Sequence, residues 1–231
     1  MAKVLFGNGV AEIRGSQAGT TYSRNRGGAY TRNRVTPLNP QSSSQQLVRS
    51  SMSILTTAWG IDLTQAQRDA WTAFGLAWPT TDVFGASITL TGLQMYVRQN
   101  TTLLFAELPS IANAPINLDV EALLSLSAVV DVSDASMDLT FTPDPLGATS
   151  FLQIYATPAL SPGISYVKNK LRLITTQAAE EVSPVDAAAP WSDVFGSFPV
   201  AGQKIVFQAR VLNGANGTFS TALQSDTIVV A

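Results

Sequence analysis

A change of hydrophobic period near residue 115 places the strongest constraint on how this chain can fold. From there to the C terminus, short apolar runs alternate with polar residues, as in strands that bury one face. Clusters of Pro, Gly, Asn and Asp, such as TPDPLGATS and NGANGT, separate the runs and predict turns. The predicted strands are 129–132, 137–141, 151–156, 170–175, 204–212 and 227–230. Six or seven short strands over about 110 residues predict an antiparallel β-sandwich in residues 115–231.

The chain contains no cysteine and no histidine. This composition excludes disulfides, thiol nucleophiles, imidazole acid–base chemistry and the usual zinc sites. The sandwich is therefore not an immunoglobulin domain pinned by a disulfide. Only 13% of the residues are charged, against about 25% in ordinary soluble domains, and such chains often hide surface in an assembly.

No apolar run reaches the roughly 18 residues that a membrane span requires. The N-terminal MAKVLFGNGVAEIRG is too short and too polar for the apolar region of a signal peptide. We therefore expect a soluble protein that is synthesised in the cytosol and has no membrane partner.

Positive charge is concentrated near the N terminus. Residues 1–50 hold six more basic than acidic residues, whereas residues 101–231 hold seven more acidic than basic residues. A basic arm on an acidic body indicates that the arm has a partner of its own. A second copy of the body is one such partner.

The basic segment repeats itself in GTTYSRNRGGAYTRNR, where Y-x-R-N-R occurs twice and the two tyrosines are eight residues apart. Residues 1–40 are rich in glycine and favour short pieces of strand over helix. They are too poor in aliphatic residues to fold alone. We therefore predict an extended basic arm over residues 1–40 that becomes ordered on another surface.

Along a single extended strand, side chains two residues apart share one face, which predicts one cationic, aromatic face for the repeat. The predicted contact residues are Tyr22, Arg24, Arg26, Tyr30, Arg32 and Arg34. Three partners remain open: neighbouring protein subunits, nucleic acid bound through phosphates and stacked bases, or the rest of the same chain. The net charge of −2 and the small number of arginines favour protein subunits over nucleic acid as the partner.

Residues 41–110 predict a small segment of three helices. The first helix follows Pro40, with Ser42 or Ser43 as its N-cap. Its predicted buried face consists of Leu47, Met52 or Ser51, Leu55 and Trp59. The second helix begins at a T-x-x-Q capping box formed by Thr64 and Gln67, and Pro79 ends it.

The third helix begins at Thr91-Gly92 and ends before Pro109.

The second helix is predicted to bury Ala70 together with its aromatic residues. The predicted helical core is Trp59, Trp71, Phe74 and Trp78. A platform that stacks carbohydrate rings or bases is the alternative interpretation of these aromatic residues.

The sequence predicts no catalytic, cofactor or metal site. The glycine-rich stretches lack both G-x-x-x-x-G-K-[ST] and G-x-G-x-x-G. Asp131, Asp134, Asp138 and Asp144 do not follow the spacing of a calcium loop and are interpreted as exposed turn residues. Glu180-Glu181 has no evident acid partner, and NGANGT is interpreted as a plain hairpin tip. We therefore expect a protein that is not an enzyme.

Three stretches resemble uncharacterised proteins of tailed phages and prophages: GTTYSRNRGGAYTRNRVTPLNPQSSSQQ, AWGIDLTQAQRDAW and TGLQMYVRQNTTL. The resemblance covers roughly residues 15–105. Its matching positions are Arg24, Arg26, Arg32, Arg34, Pro37, Asn39, Pro40, Trp59, Leu63, Thr64, Gln67, Arg68, Trp71, Gly92, Tyr96 and Asn100. From about residue 125 the chain resembles fibronectin type III and immunoglobulin-like modules, a resemblance that implies a fold and no activity.

The expected fold is α+β, with an extended arm over 1–40, a helical domain over 41–110 and an immunoglobulin- or fibronectin III-like sandwich over 115–231. The phage resemblance implies a virion structural protein that is assembled in the host cytoplasm, most simply a capsid decoration or cement protein. Its implied partners are the major capsid protein or other virion subunits, and further copies of itself. One alternative is a tail, neck or fibre-anchor protein whose sandwich binds a receptor or carbohydrate. The other is a packaging protein whose arm binds nucleic acid.

Overall fold

The computed structural model describes residues 2–4, 7–10, 12–25, 28–36, 38–81 and 85–229. The chain divides into two compact units, Met1–Gln46 and Leu47–Ala231. The boundary predicted between a helical domain and a sandwich, near residues 110–115, lies inside the second unit.

The first unit is a four-stranded antiparallel sheet. Its strands are β1 (Ala2–Lys3), β2 (Gly15–Gln17), β3 (Thr20–Asn25) and β4 (Gly28–Asn33), in the order β1-β4-β3-β2. The sequence predicts the pieces of strand but not their pairing into one sheet. No described residue of this unit is buried, so the sheet has no core among the described residues.

The helical part of the second unit contains three helices: α1 (Ser43–Ile61), α2 (Gln65–Ala77) and α3 (Gly92–Phe105). The first residues of α1 belong to the first unit. A two-stranded antiparallel ribbon lies between α2 and α3 and consists of β5 (Thr80–Thr81) and β6 (Ser87–Ile88). The capping box that the sequence predicts for α2 is confirmed. The Gln67 amide donates to Thr64 Oγ1 at 3.3 Å, and the Thr64 amide donates to Gln67 Oε1 at 2.9 Å. The same box, formed by Thr91 and Gln94, starts α3. Within the described part of the chain, no helix has the length and apolarity of a membrane span.

The helical core is built around Trp71, which is fully buried. Its ring lies edge-on to Phe74 at 5.8 Å and to Tyr96 at 5.4 Å, and its Nε1 donates to the Ala112 carbonyl at 2.9 Å. The other buried members are Leu55, Leu63 and Met95. Burial of the Tyr96 phenol, and secondarily the charge of Asp62, raises the pKa of that tyrosine.

Two positions predicted for the core of α2 lie outside it. Trp78 is 38% exposed and contacts Phe74 with ring centroids 6.3 Å apart. Its backbone has left the helical region because Pro79 follows, so its indole no longer continues the buried stripe. Ala70 is also exposed. Trp59 is half-buried against Tyr96, at the edge of the cluster.

The predicted face of α1 is only partly buried. Ser51 and Leu55 are buried, at 4% and 1% exposure. Leu47 and Met52, which the periodicity placed in the same core, are 55% and 43% exposed. The hydrophobic pattern of α1 is therefore broader and longer than the surface that covers it within the second unit.

Two polar side chains of the helical segment form hydrogen bonds with the backbone of the segments that connect or follow the helices. Arg68 donates from Nη2 to the carbonyls of Gly60 and Leu63 at 3.1 and 2.8 Å, which closes the turn between α1 and α2. Asn100 is completely buried, accepts from the Ile111 amide at 2.6 Å and donates to the Ile111 carbonyl at 3.2 Å. Both positions carry the phage resemblance, and both have structural roles here.

The remainder of the second unit is a sandwich of two antiparallel sheets. Its elements are β7 (Ser125–Asp131), β8 (Ser136–Thr142), β9 (Ser150–Ala156), β10 (Arg172–Thr176), β11 (Val185–Asp186), α4 (Ala188–Phe195), β12 (Lys204–Asn213) and β13 (Leu223–Ile228). The sheet orders are β10-β9-β12-β13 and β11-β8-β7. Seven strands in these two sheets follow the connectivity of immunoglobulin-like and fibronectin type III-like sandwiches. The fold class is therefore α+β, with β11 and α4 in addition to the predicted elements.

The core of the sandwich lies between the two sheets and follows a period of two. Met137, Leu139 and Phe141 of β8 are buried, and they alternate with more exposed residues. Residues of β9 and β12 face them from the other sheet. Trp191 of α4 closes one side of the core and donates from Nε1 to the Thr157 carbonyl at 2.9 Å.

The turn between β12 and β13 joins the sandwich to the helices, which corrects the interpretation of NGANGT as a plain hairpin tip. Asn216 is 2% exposed and donates from Nδ2 to the Asp119 carbonyl at 2.8 Å. The Gly217 carbonyl accepts from the Thr102 hydroxyl of α3 at 2.6 Å. A Cβ on Gly217 would overlap the Gln99 carbonyl oxygen, and its φ of +71° disfavours any other residue.

Replacing Gly217 with alanine should therefore lower the free energy of unfolding by roughly 2–4 kcal/mol, because the new methyl group both overlaps α3 and strains the backbone. Urea unfolding monitored by tryptophan fluorescence measures this change. Gly163→Ala is the matched control, since nothing lies within 4 Å of a Cβ at Gly163 and its φ is not positive. Equal unfolding midpoints for the two variants would contradict the tight docking of this turn.

Candidate assembly interface

Strands β3 and β4 form a hairpin that contains both copies of the Y-x-R-N-R repeat. Tyr22 lies opposite Thr31, and Ser23 lies opposite Tyr30. Arg26 belongs to the two residues that join the strands and lies outside the described residues, as does Pro37. Gly28 begins β4 directly after the chain reversal, and it has a φ of +107°.

The two copies of the repeat present their side chains on opposite faces of the sheet. Residues directly opposed in an antiparallel pair share a face. Tyr22 and Arg24 therefore share a face with Thr31, whereas Tyr30 and Arg32 lie on the other face. The predicted single cationic, aromatic face is wrong, because the chain reversal places even-numbered residues opposite odd-numbered ones.

Glu12 partly neutralises the first of these faces. Its Oε1 lies 3.7 Å from Arg24 Nη1 and 3.0 Å from Arg14 Nη2. The arginine side chains of these pairs are 62% and 69% exposed, so each pair contributes about 0–1 kcal/mol. Sequence analysis did not single out Glu12, although the absence of any other Asp or Glu before Asp62 is a signal that could have done so.

The second face carries arginine without a carboxylate beside it. Within the described part of the chain, Arg32 and Arg34 make no ion pair, and both are exposed. Tyr30 is half-buried, as is Tyr22 on the first face. Guanidinium groups bind carboxylates in a bidentate manner and can also donate to carbonyl oxygens, and tyrosine adds a large contact area. The sheet is therefore chemically suited to contact a protein on either side.

Of the four aspartates interpreted as exposed turn residues, Asp138 instead lies half-buried within β8, whereas Asp131 and Asp144 accept hydrogen bonds from nearby loops. Asp131 Oδ1 accepts from the Ser133 hydroxyl at 2.7 Å and from the Ser133 amide at 2.8 Å, and these hydrogen bonds lower the pKa of Asp131. Asp144 Oδ1 accepts from the Ser183 amide at 3.0 Å. Among the described residues, no group of three or more His, Cys, Asp or Glu side chains is placed to hold a metal ion. Because Trp71 is fully buried, it cannot serve as a stacking platform.

Comparison with known proteins assigns no family to the chain. No model of a protein family matches it, and no curated protein matches it. It is similar to a solved structure of an Fn3-like protein from Clostridium thermocellum, with 14% identity and a TM-score of 0.28, over 46% of this chain and 90% of that chain. A likeness at this level carries no activity or partner to the chain, and the resemblance to phage proteins stays a prediction.

The assignment of faces in the hairpin can be tested by disulfide trapping in this cysteine-free chain. A Tyr22→Cys/Thr31→Cys variant should form an intramolecular disulfide on oxidation, because opposed Cα atoms in an antiparallel pair are about 4.5–5.5 Å apart. A Tyr22→Cys/Tyr30→Cys variant should stay reduced, since those side chains lie on opposite faces. Mass spectrometry of thiol-labelled monomers measures both, and efficient oxidation of the second variant alone would contradict this register.

Proposed function

We propose that this protein is a non-enzymatic structural subunit of a virion, and specifically a capsid decoration or cement protein whose N-terminal sheet binds neighbouring subunits. The observation that carries the proposal is an arginine-rich sheet in which no described residue is buried. A sheet without a core is marginal in water, so a surface that packs against it would supply the missing burial. The resemblance to tailed-phage proteins supports a virion as the place where that surface occurs.

The geometry of the hairpin favours a bridging role. Because Tyr22 with Arg24 and Tyr30 with Arg32 lie on opposite faces, the sheet can contact one protein surface on each side. A cement protein has this task, since it joins subunits that are already adjacent. A long groove of nucleic acid would instead favour arginines gathered on one face.

The excess of positive charge in the N-terminal sheet favours binding to protein surfaces that are rich in carboxylates. No Asp or Glu occurs between Glu12 and Asp62, a stretch that contains six arginines. A hydrogen bond that involves a charged group contributes about 1.5–3 kcal/mol once it is paired and shielded from water. Repeated over symmetric copies on a particle, a few such contacts per subunit give strong avidity.

An Arg24→Ala/Arg32→Ala variant should bind particles that lack this protein at least about tenfold more weakly than the unaltered chain, because one guanidinium is lost from each face. Co-sedimentation with such particles measures the binding. Arg98→Ala/Lys168→Ala is the matched control, since it removes two exposed charges of the second unit. Unchanged binding of the first variant would contradict a role for the sheet in attachment.

The number of copies per particle tests the position within the virion. Quantitative mass spectrometry should find this chain in a simple ratio to the major capsid subunit. A handful of copies would instead indicate a neck, tail or fibre position, and absence from purified particles would overturn the structural role. A steep decrease of DNA affinity with salt would support the packaging alternative.

A further inference from the structure

A cavity of about 210 Å³ lies where α3 meets the turn between β12 and β13. Gln99 and Thr102 line it from α3, and residues 217–219 line it from the turn. Leu118 and the exposed Arg98 complete the lining. Sites for drug-sized ligands usually occupy about 300–1,000 Å³, so the smaller volume here suits a single small ring.

Gln99 places a polar side chain without a protein partner in this cavity. The residue is 4% exposed, and its backbone carbonyl accepts from the Thr102 hydroxyl at 2.6 Å. Its side-chain amide, by contrast, makes no hydrogen bond with any other residue that the structure describes, and it is not sealed from solvent. Buried polar side chains nearly always have a hydrogen-bond partner. The amide is therefore free to bind a molecule that enters the cavity.

Thr218 is a second sign that hydrogen-bonding capacity is left over at this junction. Its Oγ1 is shielded from solvent and has no hydrogen-bond partner, and the residue lines the same cavity. Arg68 Nε is the other buried side-chain atom without a partner among the described residues. Unpartnered buried groups lower the free energy of unfolding. Their presence at a cavity is thus typical of a binding site and not of a joint that only holds two parts of a fold together.

Leu118 and Phe219 supply apolar walls, and both are half-buried. The Phe219 ring is held in place by Arg210, whose Cζ lies 3.6 Å from the ring centroid. Arg210 is in turn fixed by Gln153, since its Nη2 donates to Gln153 Oε1 at 3.1 Å. The charged residue of the lining, Arg98, is exposed, so the buried part of the cavity is uncharged.

We propose that this cavity binds a neutral sugar ring, with the Gln99 amide on its hydroxyl groups and with Leu118 and Phe219 against its C–H face. An amide both donates and accepts hydrogen bonds, as a hydroxyl does, so the two groups satisfy each other. A carboxylate would use only the donor of the amide and an ammonium group only the acceptor, and either charge is costly to place against apolar walls. The proposal goes beyond the attachment role of the N-terminal sheet and does not depend on it.

A comparison of two glutamines of similar burial separates a binding role of Gln99 from a structural one. Gln153 is 2% exposed and accepts from Arg210, whereas the Gln99 amide has no partner among the described residues. Gln153→Met should therefore lower the midpoint of urea unfolding, and Gln99→Met should leave it unchanged or raise it. Tryptophan fluorescence measures both midpoints. An equal decrease for the two variants would assign Gln99 a structural role and overturn the proposal.

Sugar binding is measured on the full-length chain by NMR titration with the methyl glycosides of glucose, galactose, mannose and N-acetylglucosamine. At least one of these probes should bind saturably, with a dissociation constant of roughly 1–10 mM, because a ligand of this size makes few contacts. Gln99→Met should weaken that binding at least tenfold. Gln224→Met is the matched control, since Gln224 is exposed on β13 and does not line the cavity.

Three results of the titration would each overturn the proposal. They are the lack of saturable binding for all of the probes, unchanged binding by Gln99→Met, and tighter binding of glucuronate than of methyl glucoside, which would mean that the cavity selects a charged ligand. None of these results bears on binding to particles, so the two proposals fail separately.

Discussion

The docking of the Asn216-Gly217 turn on α3 is the contact on which the second unit depends. It places a nearly fully buried amide between the segment at 117–119 and the end of the sandwich, and it brings the Gly217 backbone within hydrogen-bond distance of Thr102. Only glycine fits there, because a side chain would overlap the Gln99 carbonyl. The helices and the sandwich, which have separate hydrophobic clusters, are consequently joined within one compact unit.

The N-terminal sheet is stabilised in a different way. The second unit encloses large buried side chains such as Trp71 and Trp191, whereas the described residues of the first unit are at most half-buried. Its strands are held by backbone pairing, by the Ser16–Thr21 hydroxyl contact at 2.9 Å and by exposed ion pairs. Such a sheet gains little from its own packing, which is why we propose that it is the attachment surface.

Local signals in the sequence predicted the elements whose stability is local. The Thr64–Gln67 box was predictable because two side chains and two amides within one turn satisfy each other. The strands of the sandwich were predictable from their period of two, although β13 begins four residues before the predicted strand at 227. The helix α4 was missed because its N-cap, Ala187, makes no side-chain hydrogen bond. The contacts that position α4 are the burial of Trp191 and the hydrogen bond that the Ala188 amide donates to Asp186 Oδ1 at 2.8 Å. The exposure of Trp78 and Leu47 was missed because periodicity identifies an apolar face and does not show how far another element covers it.

The Y-x-R-N-R repeat shows which properties of this protein follow from the sequence and which follow only from the tertiary structure. The sequence by itself determined that arginine and tyrosine are concentrated near the N terminus, that strand is favoured over helix there, and that the residues after 115 form a sandwich, since composition and hydrophobic period are properties of the chain alone. The tertiary structure decided that the two copies of the repeat lie on opposite faces and that the NGANGT turn docks on α3 through its buried residues Asn216 and Gly217. Register and docking depend on which distant residues meet, and residues such as Tyr22 with Thr31, or Gly217 with Gln99, become neighbours only when the chain has folded.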